Sequence, residues 1–232
     1  TFDEKRLAWP EGAAQSVRRV VVDQSQTEAR YVPGIQLQWS ATQAPEIKID
    51  WAVGGEAGAL VDLQVKGDTL YIRPRADAAQ QARVPEVNSI TLPMQVAEVQ
   101  ACSLHLFDTS CPPCGQKPDT AEKDTLPALT LRGQRIAVVS ETHIGQLHIN
   151  TTDSSALCPK EEEESRSWVE QPDIAVNARH VQALRIRAAG GSLDLREISH
   201  LDTVPVTAPG KLKLKLDRIE DAHRVRWQPL PP

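Results

Sequence analysis

The sequence predicts an all-β fold, in the form of a right-handed β-helix or β-solenoid-like stack of short strands with two long Cys-bearing loops. Three observations predict it. Short runs of alternating apolar and polar residues recur along the 232-residue chain, and a period of two is that of a half-buried strand. The runs of the last third follow one another at short, regular intervals. Helical periodicity is almost absent.

The first half of the body has a hairpin-like pattern. After a polar N-terminal arm at residues 1–16, the segments 35–39 and 47–51 alternate strictly between apolar and polar residues. Gly67-Asp68 is predicted to turn a hairpin whose second strand ends at Pro74. Further short strands are predicted at 90–92, 99–107, 129–131, 136–139 and 147–149.

The last third is the most regular part of the chain. Runs that begin at Leu184, Leu193, Val204 and Leu212 are separated by 9, 11 and 8 residues. Each contains an apolar-polar-apolar triplet, which is too short to cross a large sandwich but sufficient for one side of a coil. Stacked coils would bury each inward aliphatic side chain against its equivalents above and below. We therefore expect one body over 17–232, hairpin-like at 17–107 and with regular rungs at 129–227.

Two polar segments of the chain, 108–128 and 151–171, interrupt this pattern and are long for connections in a compact domain. The cysteines lie in or near these segments, at Cys102, Cys111, Cys114 and Cys158. An even number of cysteines in loops indicates crosslinks, and four cysteines allow three pairings. We favour the pairing of Cys111 with Cys114 and of Cys102 with Cys158.

Composition narrows the class of protein. The chain has 26 Lys and Arg against 31 Asp and Glu, a net charge of −5, which removes the electrostatic basis for binding nucleic acid. No apolar run approaches the roughly 20 residues of a membrane-spanning helix. The chain begins with Thr1, and together with the even cysteine count this predicts a removed signal peptide and an oxidising compartment.

Three stretches of the chain resemble a known family. They are the opening strand Val17 to Val22, the sequence Gly-Asp-Thr-Leu-Tyr-Ile at 67–72 and the sequence Ile-Thr-Leu-Pro at 90–93, followed by a ladder of short strands at 136–216. This succession resembles the bacterial envelope family described as "putative auto-transporter adhesin, head GIN domain". The two Cys-bearing segments depart from the small turns that are usual in that family.

The resemblance implies an exported, β-helical protein of the periplasm or cell surface. Its implied role is binding, adhesion or scaffolding, with no catalytic residues. We expect no cofactor, and we expect an envelope protein or an anionic glycan as partner. Because exposed end rungs must be capped or paired, we also expect either a capping role for the arm at 1–16 or a homo-oligomer.

Enzymatic alternatives come from different residues. A β-helical enzyme that acts on polysaccharides would use acidic residues on adjacent rungs, with Asp194, Glu197 and Asp202 as candidates. A thiol-disulfide protein would use Cys111 and Cys114, but that chemistry needs a following helix, which the sequence does not predict.

Two weaker arrangements involve histidines. A zinc site drawn from Cys102, His105, Cys111 and Cys114 would lack a second Cys-x-x-Cys pair. Ser140, Glu141 and His143 are close in sequence, but no nucleophile elbow is present. We expect neither arrangement to be functional.

The candidate binding surface is basic. If the aliphatic residues of the last rungs point inward, six cations point outward from stacked rungs: Arg185, Arg187, Arg196, Lys211, Lys213 and Lys215. Such a strip would suit an anionic glycan or a phosphate group. The alternative is that these cations keep the β surface soluble and block the addition of further strands.

Overall fold

A computed structural model describes residues 2–27, 32–52, 61–75, 84–107, 125–160 and 173–231. The protein is all-β, as predicted, and its strands form two mixed nine-stranded sheets. A single turn of α-helix, α1 (Ala13–Ser16), and short 3₁₀ segments at Ser155–Leu157 and Ile219–Arg224 lie between strands.

The two sheets are named here the first sheet and the second sheet, with strands numbered along the chain. In spatial order, the first sheet contains β1 (Phe2–Ala8), β4 (Glu46–Ala52), β7 (Glu86–Leu92), β3 (Ile35–Trp39), β9 (Ser103–Phe107), β11 (Arg135–Val139), β13 (Ile174–Asn177), β15 (Ser192–Arg196) and β17 (Lys213–Leu216). The second sheet contains β18 (Val225–Pro229), β16 (Val204–Ala208), β14 (Val181–Arg187), β12 (His143–Asn150), β10 (Thr125–Arg132), β8 (Glu98–Gln100), β2 (Arg19–Val22), β6 (Thr69–Pro74) and β5 (Val61–Lys66).

From β8 onward, successive strands alternate between the two sheets. β8 pairs in parallel with β2, and β9 pairs in parallel with β3. From β10 onward, each strand pairs in parallel with the strand two places earlier, so that equivalent residues of the apolar-polar-apolar triplets come into register. The inward positions form rows that run across the strands. The central row of the second sheet, called here the core row, is Val20, Val99, Leu131, Ile149, Ile186, Val206 and Trp227.

The rows of aliphatic side chains make up the core. Every member of the core row except Trp227 is fully buried. In the first sheet an equivalent row joins Leu104, Ile136, Ile174, Leu193 and Leu214. Because a single triplet buries too little apolar surface to be stable, each strand depends on the neighbours stacked on either side of it.

The N-terminal part contains the antiparallel pairs. β5 and β6 form the predicted hairpin, in which Gly67 has a φ of 60°, a left-handed conformation that glycine adopts without the strain of a Cβ atom. β1 pairs antiparallel with β4, and β4 pairs antiparallel with β7. The segment predicted as an arm therefore contains an edge strand of the first sheet.

The sheets end at β17 and β18 on the C-terminal side. Trp227 on β18 is 49% exposed although it occupies a core-row position, because no further strand covers it among the described residues. Leu214 and Leu216 on β17 are half-buried for the same reason.

Candidate functional site: an arginine face on the second sheet

Five neighbouring strands of the second sheet, β10, β12, β14, β16 and β18, have an unusual charge pattern. Between them they contain four arginines and not one aspartate or glutamate. The chain as a whole has a net charge of −5. We name the outer surface formed by Arg132, Arg185, Arg187 and Arg226 the arginine face.

The strand alternation directs these side chains outward. On β14, Leu184 and Ile186 are buried, whereas Arg185 is exposed and Arg187 is half-buried. Arg226 on β18 is exposed and immediately precedes Trp227 of the core row. The period of two that buries the aliphatic side chains therefore also brings the arginines together on one surface.

Arg132 lies at one end of the arginine face and is already paired. Its guanidinium donates hydrogen bonds to the carboxylates of Glu98 and Asp153, and Glu98 also lies 3.4 Å from Nε of Arg19. Although burial works in the opposite direction, the hydrogen bond and the charge of Glu98 together with those of Asp153 raise the pKa of Arg132. Arg132 thus closes the face on its N-terminal side.

The other three arginines differ from Arg132. Within the described part of the chain, no carboxylate forms an ion pair with Arg185, Arg187 or Arg226. An unpaired guanidinium presents up to five N–H donors in a planar fork that matches a carboxylate, sulfate or phosphate group. The three side chains therefore offer charge and directed hydrogen bonds to an anion from solution.

His148 on β12 lies beside these arginines. It is half-buried and stands next to Arg185 in the register of β12 and β14. Burial lowers the pKa of His148, and the charges of Arg185 and Arg132 lower it further. The neighbouring arginines therefore disfavour protonation of this imidazole.

The six cations predicted as one strip are divided between the two sheets. Arg185 and Arg187 lie on β14 of the second sheet, whereas Arg196, Lys213 and Lys215 lie on β15 and β17 of the first. Lys211 lies in the turn before β17. Successive strands in this part of the chain alternate between the two sheets, so outward residues of consecutive strands lie on different sheets.

The cations of the first sheet also have a different setting. Nη2 of Arg196 donates a hydrogen bond to a carboxylate oxygen of Asp194 at 3.3 Å. This hydrogen bond raises the pKa of Arg196. Lys215 is in register with Asp194 on the neighbouring strand. Positive charge on this side is therefore partly neutralised by an acidic residue, in contrast to that of Arg185, Arg187 and Arg226 on the arginine face.

Arg132 and Arg226 were not among the predicted strip residues. A signal for both was present in the sequence, because each adjoins an apolar-polar-apolar triplet: Leu129-Thr130-Leu131 before Arg132, and Val225-Arg226-Trp227 around Arg226. What the triplets do not reveal is which other strands lie beside them in the same sheet.

The predicted disulfide between Cys102 and Cys158 is confirmed, with a Cα–Cα distance of 4.9 Å. The disulfide links the segment that follows β12 to the residues just before β9. The side-chain oxygen of Gln24 accepts hydrogen bonds from the backbone N–H groups of Cys102 and Ser103 at the same place. Since Cys102 is crosslinked, it is not a thiolate ligand for zinc. Cys111 and Cys114, and their predicted pairing, lie outside the described residues.

The residues considered for catalysis are dispersed or engaged elsewhere. Asp194 is bonded to Arg196, while Glu197 and Asp202 lie in turns. Near His143, the ring of His180 lies at a centroid distance of 4.8 Å, and Nε2 of His180 is 3.3 Å from Glu141. In the described ranges, no group of three or more His, Cys, Asp or Glu side chains is placed to hold a metal ion. None of the helices found there has the length and apolar character to cross a membrane.

No family model matches the chain, and no curated protein matches it. The resemblance to the head GIN domain family therefore stays a prediction from the motifs.

Solved structures of low similarity do match. A "putative adhesin" of Bacteroides fragilis NCTC 9343 is 11% identical with a TM-score of 0.41, and the match covers 99% of this chain and 96% of that one. A "putative adhesin" of Parabacteroides distasonis ATCC 8503 is 9% identical with a TM-score of 0.40, covering 93% and 76%. A "putative adhesin" of Parabacteroides merdae ATCC 43184 is 10% identical with a TM-score of 0.38, covering 99% and 92%. At TM-scores this low, the likenesses establish neither the fold nor the role of this chain.

Proposed function

We propose that this chain is an exported bacterial cell-envelope protein that binds anionic polysaccharide, without catalysis, through its arginine face. One observation carries the proposal: five adjacent strands of a protein with a net charge of −5 contain four arginines and no carboxylate. Acidic residues make up 31 of the 232 residues of the chain, yet none lies on these five strands. Their absence preserves a positive potential that attracts anions.

The architecture that supports this role is a β-solenoid. The alternation of strands between two sheets, with parallel pairing to the strand two places earlier, is what a chain wound into successive coils would produce. In such a coil, outward residues repeat along the axis at the strand spacing of about 4.8 Å. A regular row of side chains suits a polymer better than a compact ligand.

Export to the periplasm or cell surface is supported by the disulfide. Cys102 and Cys158 are far apart in sequence but are joined in the fold. Structural disulfides persist in oxidising compartments and are rare in the cytosol. A bacterial protein with such a crosslink would meet anionic polysaccharides of the envelope directly.

Two features favour a polysaccharide over nucleic acid. The net negative charge of the chain would repel a polyanion as densely charged as DNA or RNA everywhere except at the arginine face. On the five strands of that face, the one aromatic residue is Trp227, which occupies a core-row position. Proteins that bind single strands usually stack bases on outward aromatic rings.

Heparin-affinity chromatography tests the proposal with matched variants. The Arg185→Gln/Arg187→Gln protein loses two charges from the second sheet, and the Lys213→Gln/Lys215→Gln protein loses two from the first. We expect the native protein to be retained at low salt, the arginine variant to elute at clearly lower salt, and the lysine variant to elute close to the native protein. Equal losses for the two variants, or no retention of the native protein, would refute the assignment.

A further inference from the structure

The arginine face has a second regularity, in the spacing of its charges. Outward residues lie in two rows, one on either side of the core row. The row that precedes it contains Thr130, His148, Arg185, Pro205 and Arg226. The row that follows it contains Arg132, Asn150, Arg187, Thr207 and Gln228, of which Asn150 is buried.

In both rows the arginines occur on every second strand. Arg185 on β14 and Arg226 on β18 are separated by β16, and Arg132 on β10 and Arg187 on β14 are separated by β12. The intervening positions are uncharged: Pro205 and Thr207 on β16, and Asn150 on β12 between Arg132 and Arg187. Charges therefore repeat across the strands at about twice 4.8 Å, the distance between neighbouring strands.

From this spacing we infer that the ligand is a linear glycan with one acidic group per disaccharide, lying across the strands and parallel to the stacking direction. The inference rests on the proposed function and specifies its substrate class. An extended pyranose chain advances by about one strand spacing per sugar. Alternating acidic and neutral sugars would then place one carboxylate at Arg185 or Arg187 on β14, a neutral, hydroxyl-bearing sugar over β16, and the next carboxylate at Arg226 on β18.

The neutral sugar would find suitable partners there. Thr207 is half-buried, and its hydroxyl donates a hydrogen bond to the side-chain oxygen of Gln228 at 3.4 Å. Gln228 is exposed on the edge strand, and its side-chain amide can form hydrogen bonds with sugar hydroxyls. No cation stands on β16.

A glycan with an acid on every sugar fits this surface less well. Alternate carboxylates would lie over β16 with no positive partner, and they would lose part of their hydration without compensation. The second row also has no cation at its last position. Gln228 on β18 occupies the place where the two-strand spacing of Arg132 and Arg187 predicts a third cation.

Two variants of equal charge separate spacing from total charge. Gln228→Arg adds a cation that continues the two-strand period beyond Arg187. Thr207→Arg adds the same charge one strand away from Arg187, out of that period. Each variant removes the same hydrogen bond between Thr207 and Gln228, so each serves as the control for the other.

The experiment is calorimetric titration at low salt with two octasaccharides, one of hyaluronan, in which acidic and neutral sugars alternate, and one of oligogalacturonate, in which every sugar is acidic. We expect Gln228→Arg to raise the affinity for the hyaluronan fragment about two- to fivefold, as an added exposed ion pair does, and Thr207→Arg to leave it nearly unchanged. Both variants should raise the affinity for oligogalacturonate to a similar extent.

The outcomes distinguish the two proposals. Equal gains from both variants on the hyaluronan fragment, or tighter binding of oligogalacturonate than of hyaluronan by the native protein, would overturn the spacing inference and leave polyanion binding intact. If the native protein bound neither octasaccharide and was not retained by heparin, the proposed function and the spacing inference would be overturned together.

Discussion

His148 of β12 and Arg185 of β14 occupy the same register position on adjacent parallel strands of the second sheet. The pairing places a half-buried imidazole beside an exposed guanidinium. Two like charges on neighbouring strands repel each other when the histidine is protonated. The pKa of His148 is accordingly lowered, first by burial and then by the arginine charges.

The lowered pKa makes stability depend on pH. Below the ordinary value of 6.5, the unfolded chain binds a proton at His148 that the folded protein takes up only at lower pH, so stability falls as pH decreases through this window. Replacement of His148 by Asn should reduce the pH dependence of the free energy of unfolding in urea. Burial also lowers the pKa of His105, so part of the pH dependence of the free energy of unfolding should remain in this variant. An unchanged pH profile in the variant would contradict this role of His148.

An anionic ligand should reverse the effect on His148. A polyanion seated on Arg185 and Arg187 would neutralise part of the charge that lowers the pKa. We expect the pKa of His148, followed by NMR, to rise when heparin oligosaccharide is added, while the pKa of His105, which lies on β9 of the first sheet, stays constant. A His148 titration unaffected by saturating ligand would argue against binding at this surface.

Truncation of a core-row side chain should lower the free energy of unfolding more than truncation of an outward side chain on the same strand. Ile186 is fully buried between Ile149 and Val206. Ile186→Ala should cost about 2–5 kcal/mol, the usual cost of removing a large buried aliphatic side chain. Its outward neighbour provides the control, since Arg185→Ala should change stability by no more than about 0.5 kcal/mol. Urea unfolding measures both, and equal costs would contradict the assigned orientation of β14.

The crosslink between Cys102 and Cys158 should contribute substantially to stability. It joins residues 56 positions apart, and disulfides that close loops of this size typically add about 2–4 kcal/mol. Cys102→Ser/Cys158→Ser should lower the free energy of unfolding by that amount. Peptide mapping without reductant should recover the two cysteines in one linked peptide. Alkylation of both thiols in the denatured, unreduced protein would disprove the crosslink.

The lysines of β17 have a separate role at the edge of the first sheet. If a second copy paired antiparallel with β17 and aligned the two inward faces, it would place outward lysines opposite each other, which is unfavourable. Lys213→Thr/Lys215→Thr should therefore increase self-association in sedimentation velocity experiments. Arg185→Thr/Arg187→Thr removes the same charge from an interior strand and should not. Association of the second variant alone would contradict this explanation.

The sequence predicts inward and outward positions well, but not which strands are neighbours. Alternation at Leu184, Ile186 and the residues around them correctly gives the orientation of Arg185 and Arg187. It does not reveal that Lys213 and Lys215 lie on the other sheet, because the period of two is the same in both sheets.

Long-range pairing also limits what can be predicted. β1 has a mostly polar sequence, Phe-Asp-Glu-Lys-Arg-Leu-Ala, and becomes a strand because β4 supplies its hydrogen-bonding partner. The same holds for the arginine face, whose members come from strands between residues 125 and 229. Sequence alternation is a local signal, whereas the surface depends on parallel pairing between distant segments.

Arginine-specific modification can locate the anion-binding surface on the native protein without any substitution. The native protein is treated with phenylglyoxal, with and without heparin oligosaccharide, and the modified positions are mapped by peptide mass spectrometry. We predict that the ligand protects Arg185, Arg187 and Arg226, while the exposed Arg179 and Arg218, which lie outside the arginine face, react at an unchanged rate. Protection of Arg179 and Arg218 with continued modification of Arg185, Arg187 and Arg226 would contradict this prediction.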